Sequence, residues 1–442
     1  MRVFQRNLYL KAKQQKEFSF YVLYDKVRLP HFLMESYYRV KAKGGAPGMD
    51  GNDFKDIEKT GAIPFLKNIQ QELIDKTYRA QPAKRIWIEK ANGKLRPIAI
   101  PSIKDRVVQM SCKMVIEPIF EADFADSSYG FRPKRNAGQA VSKIREHLSH
   151  GRTHVFDADL SSFFDTIPHD KLMIVLRKRI GDKNILWLIN MWLKAPVWEA
   201  GKISGGKKKR EGVQQGGVIS PLLSNVYLNL LDQIVNKPKG SFDKASVKIV
   251  RYADDFLLMS NFPYEKQLEQ LEGILERMGV KINQEKSKLV NAREKAFDFL
   301  GFMFRFDRSP YKGCKNRYWY IAPSEQSEKK FRAMMKEYIC KRIHFHPEAY
   351  VKDLNSKLKG WINYFRIDGV SYMSRSISKS AGYLGYRIQK SAKRQSQRTK
   401  KRYSHSAYLE FVTHHGLLNM YKYATCTRPM RTQRKNLYRK AV

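Results

Sequence analysis

Acidic side chains are scarce in this chain: 42 Asp and Glu stand against 84 Lys and Arg, a formal net charge of +42 over 442 residues. A compact protein repels itself at that charge, so the imbalance points to a polyanionic partner, nucleic acid before any other. Cysteine is almost absent as well. Cys112, Cys314, Cys340 and Cys426 lie far apart, with no C-x-x-C and no His pair at finger spacing, which argues against a disulfide framework and a structural zinc module. No apolar run approaches the roughly 18 residues that span a bilayer. The opening MRVFQRNLYLKAKQQ has neither a signal-peptide core nor a transit pattern. The expectation is a reducing, intracellular, cytoplasmic protein with no membrane partner.

Apolar material is nonetheless ample, at 42% hydrophobic and 12% aromatic residues, so the length predicts two to four units, each with a core. Residues 1–45 mix basic and aromatic residues at helical spacing and end at GGAPGMDG, whose Gly and Pro break any regular element. A second helical stretch is expected over 57–78. Alternation over 85–88 and 96–100, split by Asn92-Gly93, reads as a basic β-hairpin. Helices are expected over 105–120 and 137–148. HVFDADLSSFF reads as a buried strand running into a turn, with a helix after it. GVQQGGVISPLLSNVYLNLLD is a Gly loop leading into an apolar helix, and KIVRYADDFLLMS a hairpin with a polar tip. A helix over 264–278, a short strand over 280–283 and an aromatic strand FLGFMFRF follow. Beyond about Pro323 strand signals fade and helical patterning dominates. Residues 382–442 carry 15 Lys and Arg and the single acid Glu410.

The chemistry is expected where carboxylates gather in this cationic chain. Asp157 and Asp159 are two apart, so on a strand they face one side, and Asp254-Asp255 sit at the hairpin tip. Three carboxylates on neighbouring strands can hold two Mg²⁺ ions about 3.5–4 Å apart, the arrangement of nucleotidyl transfer. Taken singly, either motif is equally well ordinary turn chemistry.

Order and joint occurrence favour the first reading. GAPGMDG, KLRPIAIPSIKDRVVQ, EPIFEADFADSSYGFRPKRNAGQAV, FDADLSSFFDTIPHDKL, GVQQGGVISPLLSNVYLNLLD, VRYADDFLLM, KINQEKSKL, FLGFMF and GWINYFRI, spread over residues 45–367, resemble the group II intron-encoded reverse transcriptases with maturase function. The resemblance implies an α+β right-hand polymerase: basic fingers, a palm with an antiparallel sheet, and a helical thumb running into a basic C-terminal region. It implies an N-terminal helical extension at 1–45, fingers at 46–152, palm at 153–322, thumb and maturase domain at 323–380, and a basic RNA- and DNA-binding region at 381–442.

Carried over by position, it makes Asp159, Asp254 and Asp255 the catalytic, metal-binding triad for two Mg²⁺ ions, with Asp157 as the competing carboxylate. The choice of Asp159 rests on Phe164 five residues later, matching the aromatic that stacks under the incoming sugar and excludes a 2′-hydroxyl; a plain core Phe is the alternative. Lys90 and Arg96, with Lys94 beside them, match the strand that meets the triphosphate, against the alternative of solvated surface charge. Gln215, with Gly216 and Gly217, matches the loop that packs on template and nucleotide, although Gln214 stands where the family has Pro. Lys286 matches a lysine that protonates pyrophosphate, or is a surface lysine. Phe299, Leu300 and Gly301 match a primer grip, with core packing the alternative for Phe299. Trp361, Tyr364 and Phe365 mark the thumb and are expected in its core.

The implied activity is RNA-directed DNA synthesis: dNTPs are added to a primer 3′-hydroxyl on an RNA template. The implied partners are group II intron RNA, RNA template with DNA primer, target DNA and dNTPs, in a bacterial cytoplasm, with splicing and retrohoming as the setting. Two alternatives stay beside it: an RNA-binding splicing cofactor with little polymerase activity, and a domesticated or defence-linked reverse transcriptase without an intron. Beyond residue 400 the cysteines and histidines are Cys426, His405, His414 and His415 alone, with no paired cysteines, so a Cys/His-rich endonuclease domain is not expected.

Overall fold

The structure, a computed structural model, describes residues 1–89, 93, 95–206, 208–308, 316–342, 345–395 and 407–424. Its strands are β1 (Ala83–Glu89), β2 (Leu95–Ile100), β3 (His154–Ala158), β4 (Val197–Glu199), β5 (Lys202–Ser204), β6 (Lys248–Tyr252), β7 (Asp255–Ser260), β8 (Lys288–Asn291), β9 (Phe297–Phe299), β10 (Phe302–Arg308) and β11 (Arg317–Pro323). They form sheets ordered β2-β1-β4-β5, β6-β7-β3-β8 and β11-β10-β9. The mixture of helices and sheets is the expected α+β class. The chain divides into two compact units, one of residues 1–135, 158–258 and 264–288, the other of residues 136–157, 259–263 and 289–442.

In the first unit the Ile103–Glu121 helix forms the centre, with Val107, Val108, Cys112, Val115, Ile116 and Ile119 all buried. Ser102 caps it, its Oγ accepting the Asp105 N–H at 3.2 Å. The Arg2–Gln14 and Pro30–Lys43 helices pack on it, as the periodicity of residues 1–45 required. β1 and β2 pair antiparallel with Trp87 opposite Pro97 and Ile88 opposite Arg96. β4 adds parallel to β1, and β5 antiparallel to β4; these short strands carry too few residues to show a pattern in sequence.

Two expectations change here. The stretch 57–78 is two helices, Phe54–Thr60 and Ala62–Ile74, because Gly61 between them adopts φ +96°. Residues 280–283 form no strand: only an isolated bridge joins Ile282 to Leu160, and β8 starts at Lys288.

In the second unit FLGF is a turn and not continuous strand. Phe299 ends β9 and faces Phe302 at the start of β10, while Leu300 (φ +52°) and Gly301 (φ +77°) are the two loop residues. Positive φ at both central positions is the I′ geometry that matches strand twist in two-residue hairpins. Tyr364 Oη donates to the Leu300 carbonyl at 3.1 Å, and the Gly301 carbonyl accepts from Ser324 N at 2.8 Å and Ser327 Oγ at 2.9 Å. Trp361 stacks on Phe331 with centroids 4.3 Å apart, and Phe365 is buried, as expected of a core. Tyr364 departs from that expectation: it is 46% exposed and spends its hydroxyl on the hairpin turn.

Helices Glu325–Arg342, Pro347–Phe365, Ser374–Gln395, Ala407–His414 and Tyr421–Ala424 complete the unit. In Ser374–Gln395 the buried apolar positions are Ile377, Ala381, Leu384 and Ile388, with Ser376, Ser380, Arg387 and Ser391 buried beside them, a helical stripe that runs through residues 380–381 without a break.

Candidate active site

The hairpin of β6 and β7 carries the paired acids. Its strands are buried on both faces from Ile249 to Arg251 and from Phe256 to Leu258, so the run of apolar residues fixes both strands and leaves Ala253-Asp254 as the two-residue turn. Ala253 has φ +59° and Asp254 does not have positive φ. That pattern belongs to a II′ turn, whose first central position ordinarily takes Gly, so Ala253 holds backbone strain. Asp254 is half-buried on the turn, and Asp255 opens β7 exposed to solvent.

What holds this turn is a buried polar network. Arg251, with its side chain fully buried, forks onto Asp232, equally buried, on the Ser220–Val235 helix; Nε lies 2.9 and 3.0 Å from the two carboxylate oxygens. Its Nη1 donates to Asn225 Oδ1 at 2.9 Å and to the Ala253 carbonyl at 2.8 Å. The 127–130 loop closes the other side. Tyr129 N donates to the Arg251 carbonyl at 2.9 Å, Arg251 N to the Ser127 carbonyl at 2.8 Å, and Asn225 Nδ2 to the Gly130 carbonyl at 2.9 Å. At Gly130 an added Cβ would lie 2.3 Å from Ala253 N, so the turn can form only because this residue has no side chain.

Asp159 lies one residue past the end of β3. The argument that Asp157 and Asp159 share a strand face therefore does not hold: Asp157 is on the strand, half-buried, and Asp159 is in the loop after it. That loop is fixed. Asp159 N donates to Ser287 Oγ at 3.1 Å, Asn283 N donates to the Asp159 carbonyl at 2.8 Å, and Lys286 Nζ stands 3.0 Å from Asp159 Oδ2.

The two acidic segments share one electrostatic field. Burial pushes the Asp254 carboxyl above the usual carboxylate range, and the charge of Asp159 adds to the rise, while its own backbone N–H, Arg96 and Arg251 pull it back. A half-buried carboxylate repelled by a second one favours a cation. Among the described residues no three His, Cys, Asp or Glu side chains are grouped to hold a metal ion as they stand. The Lys286 ammonium on Asp159 takes the place of such a cation. The carboxylate oxygens are hard donors of the kind that suits a hard divalent ion, which would take Asp159 in place of the ammonium.

The first unit also holds further expected residues, of which Arg96 acts on the cluster. Arg96, on β2, is exposed and near enough for its charge to act on Asp254; Lys90 and Lys94 lie outside the described residues. Phe164 sits half-buried on the short Phe163–Thr166 helix, against the buried Phe163, and its carbonyl accepts from Val213 N at 2.6 Å. The Gln215 carbonyl accepts from Ala99 N at 2.7 Å. At Gly216 (φ +112°) a Cβ would be 2.4 Å from the Ala99 carbonyl, which explains the glycine. Gln214 is anchored by Nε2 to the Ala195 carbonyl at 3.0 Å. Phe299, Leu300 and Gly301 belong to the second unit, on the hairpin turn described above.

Sequence reasoning missed Gly130, Asn225, Asp232 and Arg251. A signal was there: Arg251 and Asp232 are single charges set in apolar runs, IVRY and YLNLLD, where a lone charge requires an opposite partner.

Comparison with known proteins bears on these residues. Residues 88–304 match the family model "Reverse transcriptase (RNA-dependent DNA polymerase)", and residues 328–409 match "Group II intron, maturase-specific domain". "Protein YkfC" of Escherichia coli (strain K12) is 35% identical over 318 residues, covering 64% of this chain and 82% of that protein. "Group II intron-encoded protein LtrA" of Lactococcus lactis subsp. cremoris is 37% identical over 182 residues, 41% of this chain and only 30% of that protein. A solved chain titled "Partial Cas6-RT-Cas1--Cas2 complex" aligns over 57% of this chain and 42% of its own at 21% identity and TM-score 0.37, too slight a superposition to carry an argument. No helix among the described residues is long and apolar enough to cross a membrane.

Proposed function

Because this chain belongs to the family of group II intron-encoded reverse transcriptases that carry a maturase domain, we propose that it copies RNA into DNA at the Asp159, Asp254 and Asp255 cluster and binds group II intron RNA as a splicing maturase. The enzyme class, RNA-directed DNA polymerase, comes with the family. The observation that carries the site is the Asp254 carboxyl, half-buried on a fixed turn and under the charges of Asp159 and Arg96 at once.

In this reading a primer 3′-hydroxyl attacks the α-phosphorus of a dNTP, a new P–O bond forms, and the bond to pyrophosphate breaks. Divalent metal ions, two Mg²⁺ held by Asp159, Asp254 and Asp255, would supply Lewis acidity to the attacking and leaving oxygens. Arg96 meets the triphosphate as a fork of donors. Phe164 closes the space where a 2′-hydroxyl would lie. The Gln215-Gly216 loop, held against Ala99 because Gly216 has no Cβ, packs on template and nucleotide. Lys286, 3.0 Å from Asp159, gives a proton to the departing pyrophosphate in this reading.

We further assign fingers to 46–152, palm to 153–322, and thumb with maturase domain to 323–380, with 1–45 and 381–442 as flanking RNA-gripping segments. Leu300 and Gly301 act on the primer. Intron RNA, target DNA and retrohoming in a bacterial cytoplasm complete the reading. Asp254→Asn and Asp255→Asn are each expected to abolish Mg²⁺-dependent extension on an RNA template while RNA affinity stays within about twofold. Wild-type extension by either variant would remove the assignment.

A further inference from the structure

A cation-lined cleft lies in the first unit, apart from the acidic cluster. It is a cleft of about 920 Å³ between the His169–Arg177 helix, the Lys183–Leu193 helix and the segment 209–211. It shares no residue with the cluster or with Arg96, Phe164 or Gln215. Five cations line it: Arg177, Lys183, Lys194, Lys209 and Arg210. Among the described residues none of the five is closed in an ion pair.

Among the described residues two carboxylates, Asp170 and Glu211, line the cleft against them, and Asp165 acts on Lys209 from outside the lining. Neutralisation from within is therefore incomplete, and the site calls for an anion with several charges at fixed spacing. Lys209 is half-buried; burial pulls its ammonium below the usual lysine range, Asp165 offsets part of that, and a bound phosphate would offset more.

The cleft also has an aromatic wall. Trp187 is 37% exposed, and the Arg79 guanidinium lies 5.3 Å from its ring centroid. One side of the indole is thus engaged by a cation, and the ring lines the cleft beside Asn190, whose amide can donate and accept. An acidic peptide would satisfy the cations but has no use for a flat aromatic beside an amide. Duplex RNA shows its phosphates but keeps its bases stacked inside. Unpaired nucleotides present both a phosphate chain and free base faces.

We propose that this cleft binds a short single-stranded RNA segment, with phosphates on Arg177, Lys183, Lys194, Lys209 and Arg210 and one base stacked on Trp187. The site is independent of polymerisation: it holds RNA equally when Asp254 is replaced by Asn.

The test uses the full chain and a 4-thiouridine-labelled single-stranded RNA octamer, with photo-crosslinked peptides identified by mass spectrometry. Crosslinks are expected within residues 169–194 in both the unsubstituted protein and Asp254→Asn. Trp187→Ala should lower crosslinking there at least fivefold, from the loss of one stacked base, and Trp187→Phe should restore most of it. Lys183→Glu with Arg177→Glu should weaken octamer binding and lower the log–log salt slope by about 1.4, two contacts at about 0.7 each. Extension of a short annealed primer should stay within about twofold in these variants. The proposal is overturned if no crosslink falls in this segment, if Trp187→Ala leaves crosslinking unchanged in a protein that melts normally, or if a blunt RNA duplex or polyglutamate displaces the octamer as effectively as unlabelled octamer does.

Discussion

Replacing Gly130 by Ala tests whether the polymerase site depends on the placement of the Asp254 turn. The added Cβ would sit 2.3 Å from Ala253 N, 2.9 Å from Tyr252 C and 3.1 Å from Ala253 Cα. Ordinary contact begins near 3.4 Å, so something must move by about 1 Å. The 127–130 loop is poorly able to retreat, because three hydrogen bonds of 2.8–2.9 Å tie it to Arg251 and Asn225. The turn therefore takes most of the shift, and Asp254 and Asp255 move with it. A displacement of about 1 Å in a catalytic group costs on the order of 100-fold in rate, equivalent to about 2.7 kcal/mol of barrier. Overpacking should lower stability by a further 1–3 kcal/mol or so. Single-turnover primer extension at saturating primer–template and dNTP reads the first effect, and thermal melting the second. Gly273→Ala is the control, since its Cβ meets nothing within 4 Å on the Glu265–Met278 helix; it should leave the rate unchanged and add a few tenths of a kcal/mol or more to stability. A folded Gly130→Ala protein that extends within threefold of the parent would refute the reasoning.

Three further outcomes are expected. Arg251→Met leaves Asp232 charged and buried without its partner, which costs about 3–5 kcal/mol; Arg251→Met with Asp232→Leu should recover part of that loss in denaturant titration while extension stays impaired, because the Ala253 carbonyl has still lost its donor. Since burial raises the Asp254 carboxyl and Arg96 lowers it, Arg96→Met should move the acid limb of the rate–pH profile upward at saturating dNTP; a limb that stays or falls contradicts the shared field. The same sign holds for stability: a group whose folded-state pKa is raised favours the fold below its unfolded pKa and loses that contribution as pH rises through the folded value. Phe164→Ala should lower the dNTP-over-rNTP preference in incorporation assays, and an unchanged ratio in an active variant returns Phe164 to a packing role.

Local pattern was enough for much of the fold. Apolar spacing located the Ile103–Glu121, Ala137–Ser149 and Ser220–Val235 helices, and alternation around Asn92-Gly93 located β1 and β2. The failures have local causes too. FLGF reads as strand because Leu is an ordinary strand residue, and nothing short of the backbone shows that Leu300 sits at φ +52° beside Gly301. Residues 280–283 have strand composition but find a partner only at Leu160, through one bridge, so no ladder forms. β11 was hidden because Tyr318, Trp319 and Tyr320 give no clean alternation. Both faces of that strand carry aromatics: Trp319 pairs with Phe306 on one side, and Tyr318 and Tyr320 gather with Tyr372 on the other.

The site divides along the same line. The acids themselves are conspicuous in a chain with +42 net charge, since a carboxylate pair at a turn stands against the background. What fixes them does not. Asp232 and Arg251 are 19 residues apart, and Asn225 and Gly130 are 95 apart, so no window of helix or strand period contains the network. Gly130 and Asn225 alone look unremarkable, a Gly in a loop and an amide in an apolar helix, while the lone charges of Asp232 and Arg251 call for a partner without saying which. Only the buried pairing of Arg251 with Asp232 explains why a strained Ala253, rather than Gly, is tolerated at the turn. The fork donates to the Ala253 carbonyl and holds the geometry that a glycine would adopt without help. By this reasoning the strain and the clamp are one device: relieving the strain with Ala253→Gly should make the turn less dependent on Arg251. The rate loss in Arg251→Met should then be smaller in the Ala253→Gly background than alone, and an undiminished loss would separate the two.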